Sequence, residues 1–180
     1  NSNPSNRATA FFTVTFSESV TGVTVADFTL TTTGVSGASI TSVTGSGATR
    51  TVGVNTGTGN GTIQLNVVDD DSILDGAANR LGGTGAGNGV FTTGQSYTVD
   101  KTGPSVVSSV RLNSNPTTRT TVFFTVTFSE SVTGVSAADF SLTAPGITGA
   151  SVTSVTGSGA TRTVGVSTGT GSGTIRLNVV

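Results

Sequence analysis

The 180-residue chain has no cysteine, methionine, tryptophan or histidine, and charged residues make up only 9% of it. Without histidine and cysteine, the usual zinc sites, the Ser-His-Asp and Cys-His nucleophiles and a disulfide framework are all excluded. Eight basic residues against nine acidic ones leave no electrostatic footprint for nucleic acid. No apolar run approaches the roughly 20 residues that cross a bilayer. We therefore predict a chain that is not an enzyme, binds no nucleic acid and has no membrane span.

Hydroxyl groups take the place of the missing charge. The chain contains 37 threonines and 23 serines, which together are a third of its residues, and 26 glycines. Such a composition is also found in disordered segments. Here, however, valine, isoleucine and phenylalanine recur at every second position through much of the chain, which low-complexity linkers do not show. This period predicts a folded, all-β protein in which threonine and serine keep one sheet face hydrated.

An internal repeat organises the chain. Residues 1–68 align with residues 113–180 at a constant offset of 112 without a gap, and 53 of the 68 positions, about 78%, are identical. Residues 11–23 return unchanged as residues 123–135. A fixed period of this kind marks an array of structural units, and 112 residues is close to one immunoglobulin-like sandwich.

We predict two incomplete immunoglobulin-like repeats in tandem. Residues 1–103 form the first, which lacks its first strand, and residues 104–180 form the second, which lacks its last strand and a long acidic loop. The simplest interpretation is a window on a longer tandem array. The alternative is a subunit that completes its sheets by receiving a strand from its neighbour in a filament.

The period-2 alternation predicts seven strands in one repeat. In 9–17 the apolar side chains at even positions point to one face, and in 105–112 we place Val106, Val110 and Leu112 on one face. Seven short strands separated by turn signals fit a two-sheet antiparallel sandwich of the immunoglobulin type. In their order within a repeat, the predicted strands are 105–112, 9–17, 27–31, 39–44, 49–56, 62–68 and 96–100.

One long segment, 69–88, is predicted to be irregular. It begins with three consecutive aspartates and ends in glycine-rich sequence. A loop of this length in a compact domain is usually functional or mobile.

The chain contains three short motifs: Phe-Ser-Glu-x-Val at 16–20, Asp-Phe at 27–28, and Val-Asp-Lys-Thr-x-Pro at 99–104. Together they resemble the motifs of bacterial Ig-like repeats. Such repeats occur in tandem in large surface adhesins and biofilm-associated proteins. The resemblance implies an extracellular, rod-like spacer or adhesive array, which calcium often rigidifies in related repeats.

The acidic residues fall at predicted strand ends. Following the strand directions, Glu18, Asp27 and the aspartates after strand 62–68 arrive at one end of a repeat. Asp100 finishes the last strand at the opposite end, where the next repeat begins. Clustered carboxylates repel one another, and Ca²⁺, which takes about six to eight oxygen ligands in irregular geometry, relieves that repulsion.

We therefore hypothesise a calcium site at the junction of the repeats. Asp100 of the first repeat and Glu130 and Asp139 of the second would supply its ligands. Glu18, Asp69 and Asp71 would form the matching half-site at the free end of the first repeat. The alternative is that these carboxylates serve only turns and caps, which aspartate favours through local hydrogen bonds.

Two classes of function remain open. The first is a structural array at the cell surface or in a surface appendage, whose partners are neighbouring repeats or identical subunits. The second is a module that binds carbohydrate, a surface or another cell directly. The chain offers only Tyr97 for stacking on a sugar, which favours the structural interpretation. We also expect Arg50 and Arg162 to be solubilising charges on exposed strand faces.

Overall fold

The computed structural model describes residues 2–180 as an all-β chain. The chain divides into two compact units, Asn1–Thr102 and Gly103–Val180, which we call unit 1 and unit 2. Each is built from antiparallel sheets. Among the described residues, no helix is both long and apolar enough to cross a membrane. The predicted all-β, antiparallel class is confirmed.

Unit 1 holds two three-stranded sheets, β1-β5-β4 and β3-β6-β8, and a short pair, β2-β7. A one-turn 3-10 helix, Val25–Asp27, precedes β3. The strands are β1 (Thr9–Thr15), β2 (Val20–Thr21), β3 (Phe28–Thr33), β4 (Ser39–Thr44), β5 (Thr49–Asn55), β6 (Gly61–Val67), β7 (Leu74–Asp75) and β8 (Ser96–Val99).

Both sheets of unit 1 bury one face in a shared core. Val52 and Val54 of β5 are fully buried, and so is Ile63 of β6. Leu65 and Val67 follow Ile63 at two-residue spacing and join the same cluster. Because successive strand residues alternate between faces, this spacing puts all of them on the inner side. The arrangement is consistent with a β-sandwich.

Unit 2 repeats much of this plan. Its sheets are β13-β14-β10-β9, β11-β16 and β12-β15, with a one-turn 3-10 helix, Ala137–Asp139, before β11. Val126, Val164 and Val166 are fully buried in its own core. The strands are β9 (Val106–Arg111), β10 (Thr121–Phe128), β11 (Phe140–Thr143), β12 (Ile147–Thr148), β13 (Ser151–Thr156), β14 (Thr161–Ser167), β15 (Thr170–Gly171) and β16 (Arg176–Val179).

The seven predicted strands are confirmed, each with ends within two residues of the observed ones. They correspond to β9, β1, β3, β4, β5, β6 and β8. The alternation that located them is a local property of the chain, because it needs only neighbouring side chains to face opposite ways.

The predicted face of β9 is wrong. Its register on β10 shifts between Thr127 and Phe128, so that Val106 lies opposite Phe128 while Val110 lies opposite Thr125. An extra residue in one strand moves the side chains beyond it to the other face. Val106 and Val110 therefore lie on opposite faces of the sheet, and both are about half exposed (45% and 55%).

The segment 69–88 is more ordered than the sequence suggests. It contains β7, which pairs with β2, and Ile73, which is 1% exposed within the core. A backbone bridge between Leu74 and Arg80 tightens it further. The segment is therefore attached to unit 1 at several points.

Candidate functional site

Two neighbouring strands bring the first carboxylates of unit 1 together. β3 and β6 are antiparallel with Phe28 opposite Val67, so the residues just before β3 and just after β6 meet. The backbone N–H of Val68 donates to the carbonyl of Asp27 at 2.8 Å. Asp27 and Asp69 consequently lie at the same end of the unit.

The short pair of β2 and β7 adds the remaining carboxylates. Val20 lies opposite Asp75, which brings the loop that carries Glu18 beside the loop that follows β6. This placement agrees with the strand directions followed in the sequence. We call this set the acidic end of unit 1: Glu18, Asp27, Asp69, Asp70, Asp71 and Asp75.

Asp27 serves the local fold. Its Oδ2 accepts hydrogen bonds from the N–H (2.6 Å) and hydroxyl (2.9 Å) of Thr24, and its Oδ1 accepts from the Ser72 hydroxyl at 2.7 Å. The bond from the Thr24 N–H is one half of a capping box on the 3-10 helix, and its other half is the Asp27 N–H, which donates to the Thr24 hydroxyl. The same box is present in unit 2, where Asp139 accepts from the N–H and hydroxyl of Ser136 at 2.7 and 3.1 Å. Both carboxylates therefore position the start of the following strand.

Asp69 closes the acidic loop, residues 69–88. Its Oδ2 accepts from the N–H of Gly89 at 2.9 Å, across 20 residues of chain, and its Oδ1 accepts from the N–H of Asp71 at 3.2 Å. The Gly89 N–H is the largest cause that lowers the pKa of Asp69, because a hydrogen bond to the charged form favours it. The Asp69 carboxylate therefore holds the two ends of the acidic loop together.

Asp70 and Asp75 organise turns inside the loop. The Ser72 hydroxyl, followed by its N–H, lowers the pKa of Asp70. Asp75 accepts from the N–H groups of Ala77 and Asn79 and from the Asn79 side-chain amide, all at 2.8 Å. The Asn79 amide is the largest cause of its lowered pKa. Both carboxylates are held in the charged form by donors of their own loop.

Asp71 forms the single ion pair within residues 2–180. Its Oδ2 lies 2.7 Å from Nη1 of Arg80 and accepts from the N–H of Gly85 at 3.2 Å. Its Oδ1 is buried without a hydrogen-bond partner. The residue has a φ of 67°, in the left-handed region that aspartate tolerates.

Asp100 lies at the opposite end of unit 1. Asp100 directly follows Val99, which is paired with Gly61, the first residue of β6. Asp69 instead lies just beyond the last residue of β6. The seven residues of β6 separate the two ends by about 20 Å at roughly 3.3 Å per residue. Asp100 accepts from the N–H of Thr102 at 3.1 Å, which is a turn contact.

The two glutamates named in the calcium hypothesis make no hydrogen bond within the described residues. Glu18 is exposed at the acidic end of unit 1, and Glu130 is half-buried in unit 2. Across residues 2–180, the structure gathers no three carboxylates closely enough to hold a metal ion. The aspartates mostly act as acceptors for turns and caps, as the alternative interpretation expects. Calcium binding stays a prediction.

The interpretation of Arg50 and Arg162 as exposed charges is wrong. They are 7% and 6% exposed. Arg50 donates to the carbonyls of Val20 (2.7 Å), Gly47 (2.9 Å) and Thr49 (3.0 Å). Arg162 does the same in unit 2, to Val132, Gly159 and Thr161.

The sequence held a signal for this burial. In β5, Arg50 lies two residues before Val52 and four before Val54, so the alternation already assigns it to the inner face. A guanidinium presents five donors in a fixed fork, which lets one side chain tie the β4–β5 turn to the chain after β1.

A groove runs beside β1 in unit 1. Its volume is about 830 Å³, and β1 together with the residue that follows it contributes Phe12, Val14 and Phe16 to the lining. The Phe12 and Tyr97 rings meet edge to face with centroids 5.0 Å apart. The apolar and aromatic residues on its other side are Leu65, Val67, Leu81, Phe91 and Tyr97. Tyr97 is the one titratable side chain in this lining, which also contains hydroxyl and amide side chains, so the groove has little capacity for acid–base chemistry.

Acid should open the acidic loop of unit 1 before it affects unit 2. The pKa values of Asp69, Asp70 and Asp75 are lowered from an ordinary value near 3.8. A lowered pKa in the fold means that the stabilisation is present above that ordinary value and is lost as the pH falls through the folded values. We expect the hydrogen-exchange protection factor of the Gly89 amide to fall below about pH 4.

Amides of β14 in unit 2 are the internal control for this titration and should keep their protection. Asp69→Asn should lower the protection of Gly89 already at neutral pH and remove most of its dependence on acid. Gly89 protection that stays constant down to about pH 2 would contradict the role assigned to Asp69.

No protein-family model, curated protein or solved structure matches this chain.

Proposed function

We propose that this chain is a structural module of an extracellular array. It is an immunoglobulin-like spacer or filament building block of a cell-surface protein, and it transmits tension between its ends. The near-identity of the two repeats supports this role, since repeats that only bear the same load do not need binding surfaces that differ from one another. The buried arginine and the capping box recur at equivalent positions in both units.

The pairing between the start and end of unit 1 carries the proposal. Ser5 forms a parallel bridge with Val99. Its N–H donates to the carbonyl of Thr98 at 2.9 Å, and its carbonyl accepts from the N–H of Asp100 at 3.0 Å. The Thr98 N–H donates to Oδ1 of Asn3 at 2.7 Å. The first and last segments of the unit therefore run side by side in the same direction.

Parallel terminal segments resist tension well. When the two ends of unit 1 are pulled apart, these segments slide along each other, so their hydrogen bonds are loaded together and not one after another. Ser5 is 3% exposed, which keeps water from replacing its bonds during small displacements. Unit 2 has no parallel pairing among its described residues.

Stretching the full chain between its termini in single-molecule force spectroscopy tests the proposal. We expect two unfolding steps, the longer one from unit 1 at the higher force. Asn3→Ala removes the acceptor for the Thr98 N–H and should lower the force of the longer step alone. Asn115→Ala changes the equivalent position of the other repeat, where the described structure has no such bond, and is the matched control.

The mechanical role would be contradicted if the longer step occurs at no higher force than the shorter one and its force is unchanged by Asn3→Ala.

Rigidification by calcium is a separate part of the proposal. It rests on the exposed Glu18 beside the aspartates of the acidic end. A calorimetric titration of the full chain with Ca²⁺ decides it.

Direct binding of carbohydrate is the second candidate function. The observation that favours it is the aromatic character of the groove beside β1, where Phe91 is 52% exposed and lies near Tyr97. Aromatic faces stack on the apolar faces of sugars. Gln95 and Ser96 in the same lining supply polar groups of the kind that fix the orientation of a ligand. Against it, the chain has no tryptophan and only one tyrosine for stacking on a sugar.

A further inference from the structure

The sequence pairs asparagine with glycine twice, at Asn60-Gly61 and at Asn88-Gly89. In such a pair the backbone nitrogen of the glycine can attack Cγ of the asparagine, because glycine has no Cβ to obstruct the approach. The attack requires that the glycine N–H loses its proton and that both groups leave their hydrogen bonds. Because the two pairs share the same local chemistry and lie in the same unit, the fold decides how they differ.

The fold holds the first pair on both of its residues. Oδ1 of Asn60 accepts from the N–H of Lys101 at 2.8 Å, and its Nδ2 donates to the Thr102 hydroxyl at 2.8 Å. Gly61 is paired with Val99 in the β6–β8 ladder. Cyclisation at Asn60 therefore requires that the beginning of β6 separates from β8 and from the chain that follows it.

The side chain of Asn88 is held by a single bond. The residue is exposed at the end of the acidic loop, and within residues 2–180 its Nδ2 donates only to the carbonyl of Thr84, at 3.0 Å. Thr84 belongs to the same exposed stretch, residues 82–88. Exposed loops open at a small cost in free energy, whereas core strands open only at up to the cost of global unfolding. Asn88 is therefore the more accessible of the two asparagines.

Gly89 is restrained by packing and by one carboxylate. A Cβ there would lie 2.5 Å from Cγ of Leu81 and 3.0 Å from its carbonyl carbon, so the close approach of Leu81 favours glycine. The N–H of Gly89 donates to Oδ2 of Asp69 at 2.9 Å. A carboxylate beside this N–H opposes loss of its proton, because one negative charge disfavours a second one nearby. Asp69 thus restrains the nitrogen that would attack Asn88.

We propose that Asn88 is a site of spontaneous modification, controlled by the hydrogen bond from Gly89 to Asp69. When that bond opens, the Gly89 nitrogen loses its proton and bonds to Cγ of Asn88. The Cγ–Nδ2 bond breaks, and the side-chain nitrogen takes up a proton and leaves as ammonia. Water then opens the five-membered imide at either carbonyl and gives aspartate or isoaspartate. The modification is independent of the mechanical role proposed above.

Both products change the acidic end of unit 1. Each adds a negative charge there, and isoaspartate also adds one carbon to the backbone just before Gly89. This extra carbon displaces the Gly89 N–H from Oδ2 of Asp69, so the bond that closes the acidic loop does not form again. Because ammonia has been lost, the change is permanent. We expect the isoaspartate form to lose the hydrogen-exchange protection of the Gly89 amide, while amides of β14 in unit 2 keep theirs.

Ageing the full chain in mildly alkaline buffer tests the site, with mass spectrometry of its peptides to locate each modified residue. In the folded chain we expect Asn88 to be modified at least about tenfold faster than Asn60. In urea the two rates should be similar, because the local sequence then decides both. Asn88→Gln should stop the modification at this position and leave the protection of Gly89 intact, since glutamine would have to close a less favourable six-membered ring.

A matched pair of variants tests the control by Asp69. Asp69→Asn removes the charge beside the Gly89 N–H, so it should speed the modification of Asn88. The acceleration should match the factor by which the same variant lowers the exchange protection of Gly89, because both reactions begin with loss of the same proton. Asp70→Asn changes the neighbouring carboxylate, which accepts from the N–H of Ser72 instead, and should leave the rate at Asn88 unchanged.

Three outcomes would overturn the proposal. The first is a folded chain in which Asn60 is modified as fast as Asn88. The second is a folded chain in which Asn88 is not modified, although the chain in urea is modified at both positions. The third is an Asp69→Asn chain whose rate at Asn88 rises no more than its rate at Asn60, which would show that unfolding of the whole unit, and not the bond from Gly89, controls the reaction.

Discussion

Arg50→Ala should destabilise unit 1 by about 3 kcal/mol or more and leave unit 2 unchanged. The guanidinium is buried and donates to three backbone carbonyls within 3.0 Å. Truncation leaves these acceptors unsatisfied in a site with little water, and each such group costs about 1–3 kcal/mol. Because the bonds join the β4–β5 turn to the chain after β1, the loss should spread through this end of the unit.

Chemical denaturation followed by NMR signals from each unit measures the effect. Arg162→Ala should give the mirror result, with unit 2 destabilised and unit 1 unchanged, so each variant controls the other. Arg50→Met keeps the apolar stem and removes the donors. If Arg50→Met is as stable as the parent chain, the hydrogen bonds contribute nothing and the burial of the stem explains the arginine.

Gly57→Ala should cost unit 1 about 2–5 kcal/mol. Gly57 has a φ of 62°, which costs a residue with a Cβ about 1–2 kcal/mol. A Cβ there would also overlap the carbonyl of Ser36 and lie 2.7 Å from the N–H nitrogen of Ala38. The paired hydrogen bonds between Ser36 and Thr58, at 2.8 and 2.9 Å, hold these segments together. Overpacking of this kind adds about 1–3 kcal/mol.

Gly37→Ala is the control that separates the two costs. Its φ of 71° carries the same backbone strain, yet a Cβ would meet nothing within 4 Å. We expect this variant to lose only about 1–2 kcal/mol. Thermal unfolding of both variants gives the comparison, and equal losses would show that the close approach at Gly57 relaxes without cost.

The sequence predicted at which end of unit 1 each carboxylate lies, but not which donors each carboxylate accepts hydrogen bonds from. The strand directions place Asp69 and Asp75 at one end of unit 1 and Asp100 at the other, and the structure has them there. What each carboxylate accepts could not be derived in the same way. The bond from Gly89 to Asp69 spans 20 residues of irregular chain, and no periodic pattern specifies such a closure.

The positions of the strands, the inner faces of those without a bulge and the duplication of the chain were all present in the order of the residues. Alternation between faces is a property of neighbours along one strand, so it can be seen without knowledge of what the strand packs against. The shifted register of β9 and the pairing of β2 with β7 came only from the folded chain. Each depends on which distant segment occupies the neighbouring position, and that choice is made by packing and hydrogen bonding across the whole unit.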